Sequence, residues 1–469
     1  METLQRTANR GSISTGFNID NSLKLEIDNN EWIYRSSPSA GNRRTFTISL
    51  WLKRACLGHI PAGSDEYLAG QGSNARYHFA GDTVRFMFES GSTELESSRV
   101  LRDSSAWYHI VLAVDTTQGT AADRVKLYIN GEQQSWSNTK FPSQNQESDW
   151  MNTQNLYIGT RYAGDGDNDL AGYISEVVVL DGTQASPTDL GEYDDDSGIW
   201  KPIDVSGLTF GSEGFYYKFD NAGSLGEDSS GNSNDATLNN IAAADQATDT
   251  CTNNFCTFNP LVRVNNNPTI SEGGMKVTGG GGTWNQAFGT IGVANGKWYF
   301  EVKVADASDT GYFGLSTHPA IPDNVSSGQL MYNTSFMVGA ASGIDYYYWQ
   351  NGSQTSNEST GWGNLSNGDV LGFAIDLDSS TRTCKVYKNN TALSGTAANP
   401  FDLPTNMQTG FLFPMYVQYE QNLDYWRFGG WTENLPDSAA NDANGYGTFE
   451  YAPPSGYYAL CTKNLAEYG

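Results

Sequence analysis

Residues 104–132 read SSAWYHIVLAVDTTQGTAADRVKLYINGE, and this stretch decides the fold. Side chains alternate across a strand, so Tyr108, Ile110, Leu112 and Val114 share one face, and Trp107, His109, Val111 and Ala113 share the other. Both faces are largely apolar. Such a strand belongs in the middle of a sandwich, covered on each side. Val125, Leu127 and Ile129 give the next strand a period of two. Asn130-Gly131 then has the chemistry of a type I′ turn, because both residues tolerate positive φ.

The same grammar returns at residues 368–390, GDVLGFAIDLDSSTRTCKVYKNN. Leu371, Phe373 and Ile375 alternate with Val370 and Ala374. A polar turn, a second strand over Thr383–Lys388 and the pair Asn389-Asn390 follow. One chain thus carries two β-sandwich cores.

The length, 469 residues, exceeds what one core supports and predicts two or three domains. The 51 glycines, 13 % aromatic content and strand–turn alternation predict an all-β fold. The expected layout is an N-terminal arm over 1–16, a first sandwich over 17–245 and a linker over 246–270. A second sandwich follows over 271–432, and a C-terminal tail over 433–469 packs back on a domain. The net charge of −26 argues against a nucleic-acid surface, which needs Lys and Arg to neutralise phosphates. It is compatible with calcium, and no cofactor is required.

No run approaches the length of a membrane helix, and METLQRTANRGSIS lacks the apolar region of a signal peptide. Five scattered cysteines do not make a disulfide framework; Cys251 and Cys256 are the one close pair, for which a loop disulfide is geometrically possible and free thiols of a reducing compartment are the favoured reading. His59, His78, His109 and His318 show no metal spacing and read as structural.

The segments FTISLWLKR, AWYHIVLAVD, DRVKLYING, NLYIG and GYISEVVVLDG together resemble the laminin-G/concanavalin-like jelly roll across roughly residues 15–240. Gly296–Ser316, Gly368–Asn390 and Phe411–Gly430 resemble a SPRY-like sandwich. The pairing of the two, with DNSLKLEIDNNEWIYR at one end and PPSGYYALCTKNL at the other, is similar to virion structural proteins of tailed bacteriophages, marine ones especially. That resemblance implies a particle component assembled in the bacterial cytoplasm and exposed on the virion surface. It would be a fibre or decoration protein bound to other virion proteins and engaging a host-surface glycan or receptor. A homo-oligomer such as a trimer is expected. No coiled-coil heptads are present, so the sandwiches or the arm would have to build it.

Three constellations could carry chemistry. Tyr346, Tyr348, Trp362, Tyr425, Trp426 and Trp431 offer flat rings for stacking on sugars, although either Tyr346 and Tyr348 or Tyr347 and Trp349 must face a core. Asp165, Asp167 and Asp169 alternate on a Gly-flanked loop, where their carboxylates could converge on a calcium ion; the alternative is a solvated acidic loop. Glu26, Asp28 and Glu31 follow the E-x-D-x-x-E spacing of laminarinase-like glycosidases. The segment lies near the N-terminus and runs into Asn29-Asn30, a turn signal, and reads instead as an edge strand with solvated acids. No nucleophile, zinc or phosphate-loop motif is present, and the expectation is a binding protein, not an enzyme. A purely architectural cement protein and, more remotely, a glycan depolymerase are the alternatives.

Overall fold

A computed structural model describes residues 16–57, 65–89, 93–165, 168–264, 268–279, 285–307, 311–317, 335–340, 344–350, 353–359, 363–395, 399–418, 424–433 and 439–469. The chain divides into two compact units between Asn253 and Asn254. Strands dominate both, and the longest helix among the described residues is the short C-terminal Thr462–Tyr468.

The first unit is a sandwich of two antiparallel eight-stranded sheets. Sheet one is built around Trp107–Asp115, which pairs with Thr45–Lys53 on one side and Val125–Ile129 on the other. Thr45–Lys53 pairs in turn with Gly172–Asp181. The Asn130-Gly131 hairpin takes the expected left-handed backbone, with φ of 50° and 78°. Sheet two runs in the order Trp136–Thr139, Thr93–Val100, Thr83–Glu89, Ala75–Ala80, Asp65–Gln71, Leu156–Ile158, Trp32–Arg35 and Thr237–Asn239.

The main core lies between the sheets. Ile48, Leu50, Ile110 and Leu112 of sheet one meet Leu68, Phe79, Phe86 and Leu95 of sheet two. Each such aliphatic or aromatic side chain contributes about 1.5–3 kcal/mol on burial. The opposite face of sheet one is also covered: Val111, Val178 and Leu180 pack under Leu190, Val205, Phe210 and Tyr216. This explains why the Trp107 strand is apolar on both faces. Sheet two is different. Its second face is polar, and that asymmetry positions the site described below.

The second unit is also a sandwich, of seven- and nine-stranded sheets. Phe258, Phe300, Phe313 and Phe428 surround the indole of Trp426, with ring centroids 5.0–6.1 Å from it. Asn389 and Asn390 turn the hairpin with φ of 48° and 64°. The C-terminal segment lies against this unit. Tyr458–Ala459 adds a parallel strand to Lys297–Lys303, and buried Glu301 accepts the backbone N–H groups of Glu450 and Tyr451.

Two expectations are corrected. Residues 246–270 are not a linker. Gln246–Ala247 pairs with the first strand Ser22–Leu25, and Lys53 meets Asp249 at 2.7 Å with both side chains fully buried. Phe258–Val264 is already a strand of the second sandwich. The Glu26–Glu31 segment is not a solvated edge strand either. Its residues 27–29 form a 3-10 turn capped by the Glu26 carboxylate, and Glu26 and Glu31 are buried. No disulfide joins Cys251 to Cys256; the Cys256 sulfur contacts Thr257 O at 3.7 Å and Thr290 Oγ1 at 3.9 Å.

Candidate functional site

The outward face of sheet two carries the site. In Ala75–Ala80 the core takes Tyr77 and Phe79, so Arg76 and His78 point the other way. In Thr83–Glu89 the core takes Val84, Phe86 and Phe88, leaving Arg85 and Met87 outward. A bulge after Tyr67 keeps that ring on the outward face while Leu68 and Ala69 stay inside. Strand register then aligns one row across four strands, Glu96–Arg85–His78–Tyr67. The neighbouring row runs Glu94–Met87–Arg76–Gly70–Tyr157–Tyr34.

A strap, residues 160–165, crosses this face. It can do so because position 70 is glycine: a Cβ there would stand 2.4 Å from Arg161 O and 2.6 Å from Arg161 Cα. The Arg161 guanidinium lies 5.3 Å from the centre of the Tyr67 ring and 4.5 Å from that of Tyr162. It is held by Asp165 at 2.5 Å. The rings of Tyr67 and His78 are 5.1 Å apart.

Two of the guanidinium groups here have acid partners: Arg85 meets Glu94 and Glu96, and Arg161 meets Asp165. Burial lowers the His78 pKa to about 4, outweighing the opposite pull of Asp65, so the imidazole is neutral at pH 7. Burial, reinforced by Asp65, pushes the Tyr67 phenol up to about 12. Burial alone would raise Glu96, but hydrogen bonds from Thr83 and Arg85 hold it below the usual carboxylate range. Among the described residues, His78 Nδ1, Arg76 Nε, Arg161 Nε and Asp165 Oδ2 are buried with no hydrogen-bond partner. A buried polar atom without a partner is costly, about 1–3 kcal/mol. With Arg85 Nε, which lies in the same row and is likewise buried without a hydrogen-bond partner, five such atoms gather on this face.

The structure places the sequence candidates unevenly. Asp165 belongs to this site, but as the partner of Arg161. Asp169 is buried, Asp167 lies outside the described residues, and no three His, Cys, Asp or Glu side chains among the described residues gather for a metal. Trp426 and Trp431 are corrected: both are buried, and Trp426 is the aromatic centre of the second core. Tyr425 is half-buried beneath the Lys276 ammonium, 5.3 Å from the ring centre. Tyr346 and Tyr348 lie on the strand Ile344–Gln350, opposite Val338 and Phe336. Trp362 lies outside the described residues, as do His59 and His318. Tyr67, Arg85 and Arg161 were not among the sequence candidates, and His78 was read there as structural. Their signal was present in ARYHFA and TVRFMFE, where cations alternate with core residues in an otherwise acidic chain.

Another polar group lies on the covered face of sheet one. His109 Nε2 is 2.8 Å from Ser49 Oγ, and Trp200 Nε1 donates to His109 Nδ1 at 2.9 Å. An indole can only donate, so Nδ1 is the acceptor and the proton sits on Nε2, facing Ser49. A general base for a serine nucleophile needs the reverse. Glu176 joins them at a cavity of about 10 Å3, room for one water. Glu176 occupies a bulge with φ of 50° and accepts the Tyr216 hydroxyl. Glu26, Asp28 and Glu31 do not converge: Glu26 caps its own turn, Glu31 pairs with Lys24 at 3.3 Å, and Asp28 is exposed.

Residues 28–187 match the family model of the concanavalin A-like lectin/glucanases superfamily. That span contains every residue of the site on sheet two. No curated protein is similar enough in sequence to count as a relative. Among solved structures, a putative carbohydrate binding protein from Bacteroides ovatus is 18% identical with a TM-score of 0.34, covering 48% of this chain and 59% of its own. The SPRY domain of human HERC1 is 19% identical with a TM-score of 0.26, covering 36% of this chain and 96% of its own. Domains LG4-5 of the mouse laminin alpha1 chain are 10% identical with a TM-score of 0.29, covering 89% of this chain and 90% of its own. At these scores none of the three carries weight for the site.

Proposed function

We propose that this chain is a non-catalytic glycan-binding protein, and that its ligand lies on the outward face of sheet two against Tyr67, His78, Arg85 and the strap 160–165. The observation that carries the reading is the row Glu96–Arg85–His78–Tyr67, in which a neutral, buried imidazole keeps an unpartnered nitrogen beside two tyrosine rings and two guanidinium groups. A sugar hydroxyl donates and accepts at once, and a pyranose face stacks on an aromatic ring. At the surface these two kinds of contact would come from the partly exposed Tyr162 and from Arg85 and Arg161. The matching family model groups lectins with glucanases. The lectin side is favoured because Glu26, Asp28 and Glu31 are dispersed and the Ser49–His109 pair holds its proton on the wrong nitrogen.

The finer reading is a tailed-phage virion protein that displays this face outward, as fibre or decoration, toward host-surface glycans. The joining of two sandwich types in one chain and the terminal stretch PPSGYYALCTKNL support it. A second contact on the second sandwich would use Tyr346, Tyr348, Tyr425 and Trp362. A glycan array probed with the full chain and with Arg161→Ala tests the binding reading: the chain should retain a set of saccharides that the variant loses. Equal retention by both would move the site elsewhere. Imaging of the assembled particle tests this finer reading: absence of the chain from the particle would refute the virion role, and both sandwiches wedged between other subunits would make the protein architectural and end the adhesion reading.

A further inference from the structure

We propose that the first sandwich closes itself covalently, through an isopeptide bond between Lys24 and Asp245, with Glu31 moving the proton. Lys24 lies in the first strand, Ser22–Leu25, beside Tyr173 of the strand Gly172–Asp181. Its side chain is 1% exposed. The ammonium stands 3.3 Å from Asp245 Oδ1 and 3.3 Å from Glu31 Oε2. Lysine, aspartate and glutamate are thus packed together in a nearly water-free place, where charge is expensive and an amide is cheaper than an ion pair.

The geometry distinguishes the two oxygens of Asp245. Oδ2 accepts the backbone N–H of Ala242 at 2.8 Å, as an amide carbonyl oxygen also would. Oδ1 is the oxygen that faces the amine. In the proposed step Glu31 takes one proton from the Lys24 ammonium, and the amine attacks Asp245 Cγ. The new bond is Nζ–Cγ, and the bond that breaks is Cγ–Oδ1. Oδ1 leaves as water with two of the three ammonium protons, one delivered through Glu31, and the third stays on the amide nitrogen. Charge is conserved, because an ammonium and a carboxylate become a neutral amide and water, and Glu31 returns to its starting state. No oxidant or cofactor is involved.

The place of the bond gives it a purpose. Ser22–Leu23 pairs with Gln246–Ala247, so the first strand and the last lie side by side. A covalent link there would tie the sandwich shut where the chain enters and leaves it, against thermal or mechanical opening. Lys53, in the same row on the other side of Tyr173, meets Asp249 at 2.7 Å and provides an internal comparison.

Intact-mass spectrometry of the denatured full chain tests the proposal. The mass should fall short of the sequence mass by one water. Tryptic mapping should recover a branched peptide joining Lys24 to Asp245, with no cleavage after Lys24. Lys24→Arg and Glu31→Gln should each restore the full mass, and far-UV circular dichroism establishes that each variant is folded. If either variant fails to fold, the branched peptide of the unmodified chain still decides the matter. A full sequence mass, a cleaved Lys24, or a branch mapped to Lys53 and Asp249 would overturn the proposal.

Discussion

Replacing Glu176 with glutamine should make the first sandwich more resistant to unfolding in alkali and leave it nearly unchanged in mild acid. Burial raises the Glu176 carboxyl from 4.5 to about 7, against hydrogen bonding from Tyr216 and the attraction of Lys218, and with Asp220 and Asp204 adding to the rise. The groups facing it across the cavity, Ser49 and a neutral His109, supply no compensating charge. The folded state therefore favours the protonated acid. That contribution is fully present below the unfolded value and is lost as pH rises through about 7. One pH unit is worth about 1.4 kcal/mol, so the span from 4.5 to about 7 amounts to roughly 3 kcal/mol in all. Glutamine accepts the Tyr216 hydroxyl and never ionises. Urea-unfolding midpoints of the full chain and of Glu176→Gln, followed by tryptophan fluorescence at pH 4, 7 and 9, should nearly converge at pH 4 and separate to roughly 3 kcal/mol at pH 9. Parallel curves, with the same gap at every pH, would refute the assignment of a buried, protonated Glu176.

Other outcomes follow from single contacts. Gly70→Ala places a methyl group within 2.4 Å of Arg161 O, so the strap must lift; a stability loss of about 1–3 kcal/mol and loss of saccharide binding are expected in denaturation and array measurements. Trp426→Ala should cost about 3–5 kcal/mol in the second sandwich, read by calorimetry, and should leave saccharide binding by the first sandwich intact. Asp249→Ala leaves the Lys53 ammonium buried beside Trp107 Nε1 without that carboxylate and should cost about 3–5 kcal/mol in a urea titration.

The architecture was legible wherever hydrophobic period and turn chemistry agreed. WYHIVLAV is apolar on both faces because sheet one has a core on each side, and Asn130-Gly131 and Asn389-Asn390 carry their φ values in their residue types. The site was harder to see. Its strands, DEYLAGQ, ARYHFA and TELESSRV, are mixed in polarity, and a bulge after Tyr67 breaks the simple alternation. Nothing local tells that Arg161 folds back across Gly70, since that contact joins residues far apart in the chain. The tryptophans misled for a physical reason. Trp426 sits in YWRF, where composition alone cannot say which ring faces a core, and five neighbouring rings decided it. The acids Glu26 and Glu31 misled in the opposite sense, because buried partners such as Lys24 make carboxylates part of the interior.

The most direct measurement is a crystal structure of the chain soaked with the best-retained oligosaccharide from the array. The account predicts ligand density on the outward face of sheet two, against the partly exposed Arg85, Arg161 and Tyr162. Density confined to the second sandwich, with the row Glu96–Arg85–His78–Tyr67 empty, would contradict it.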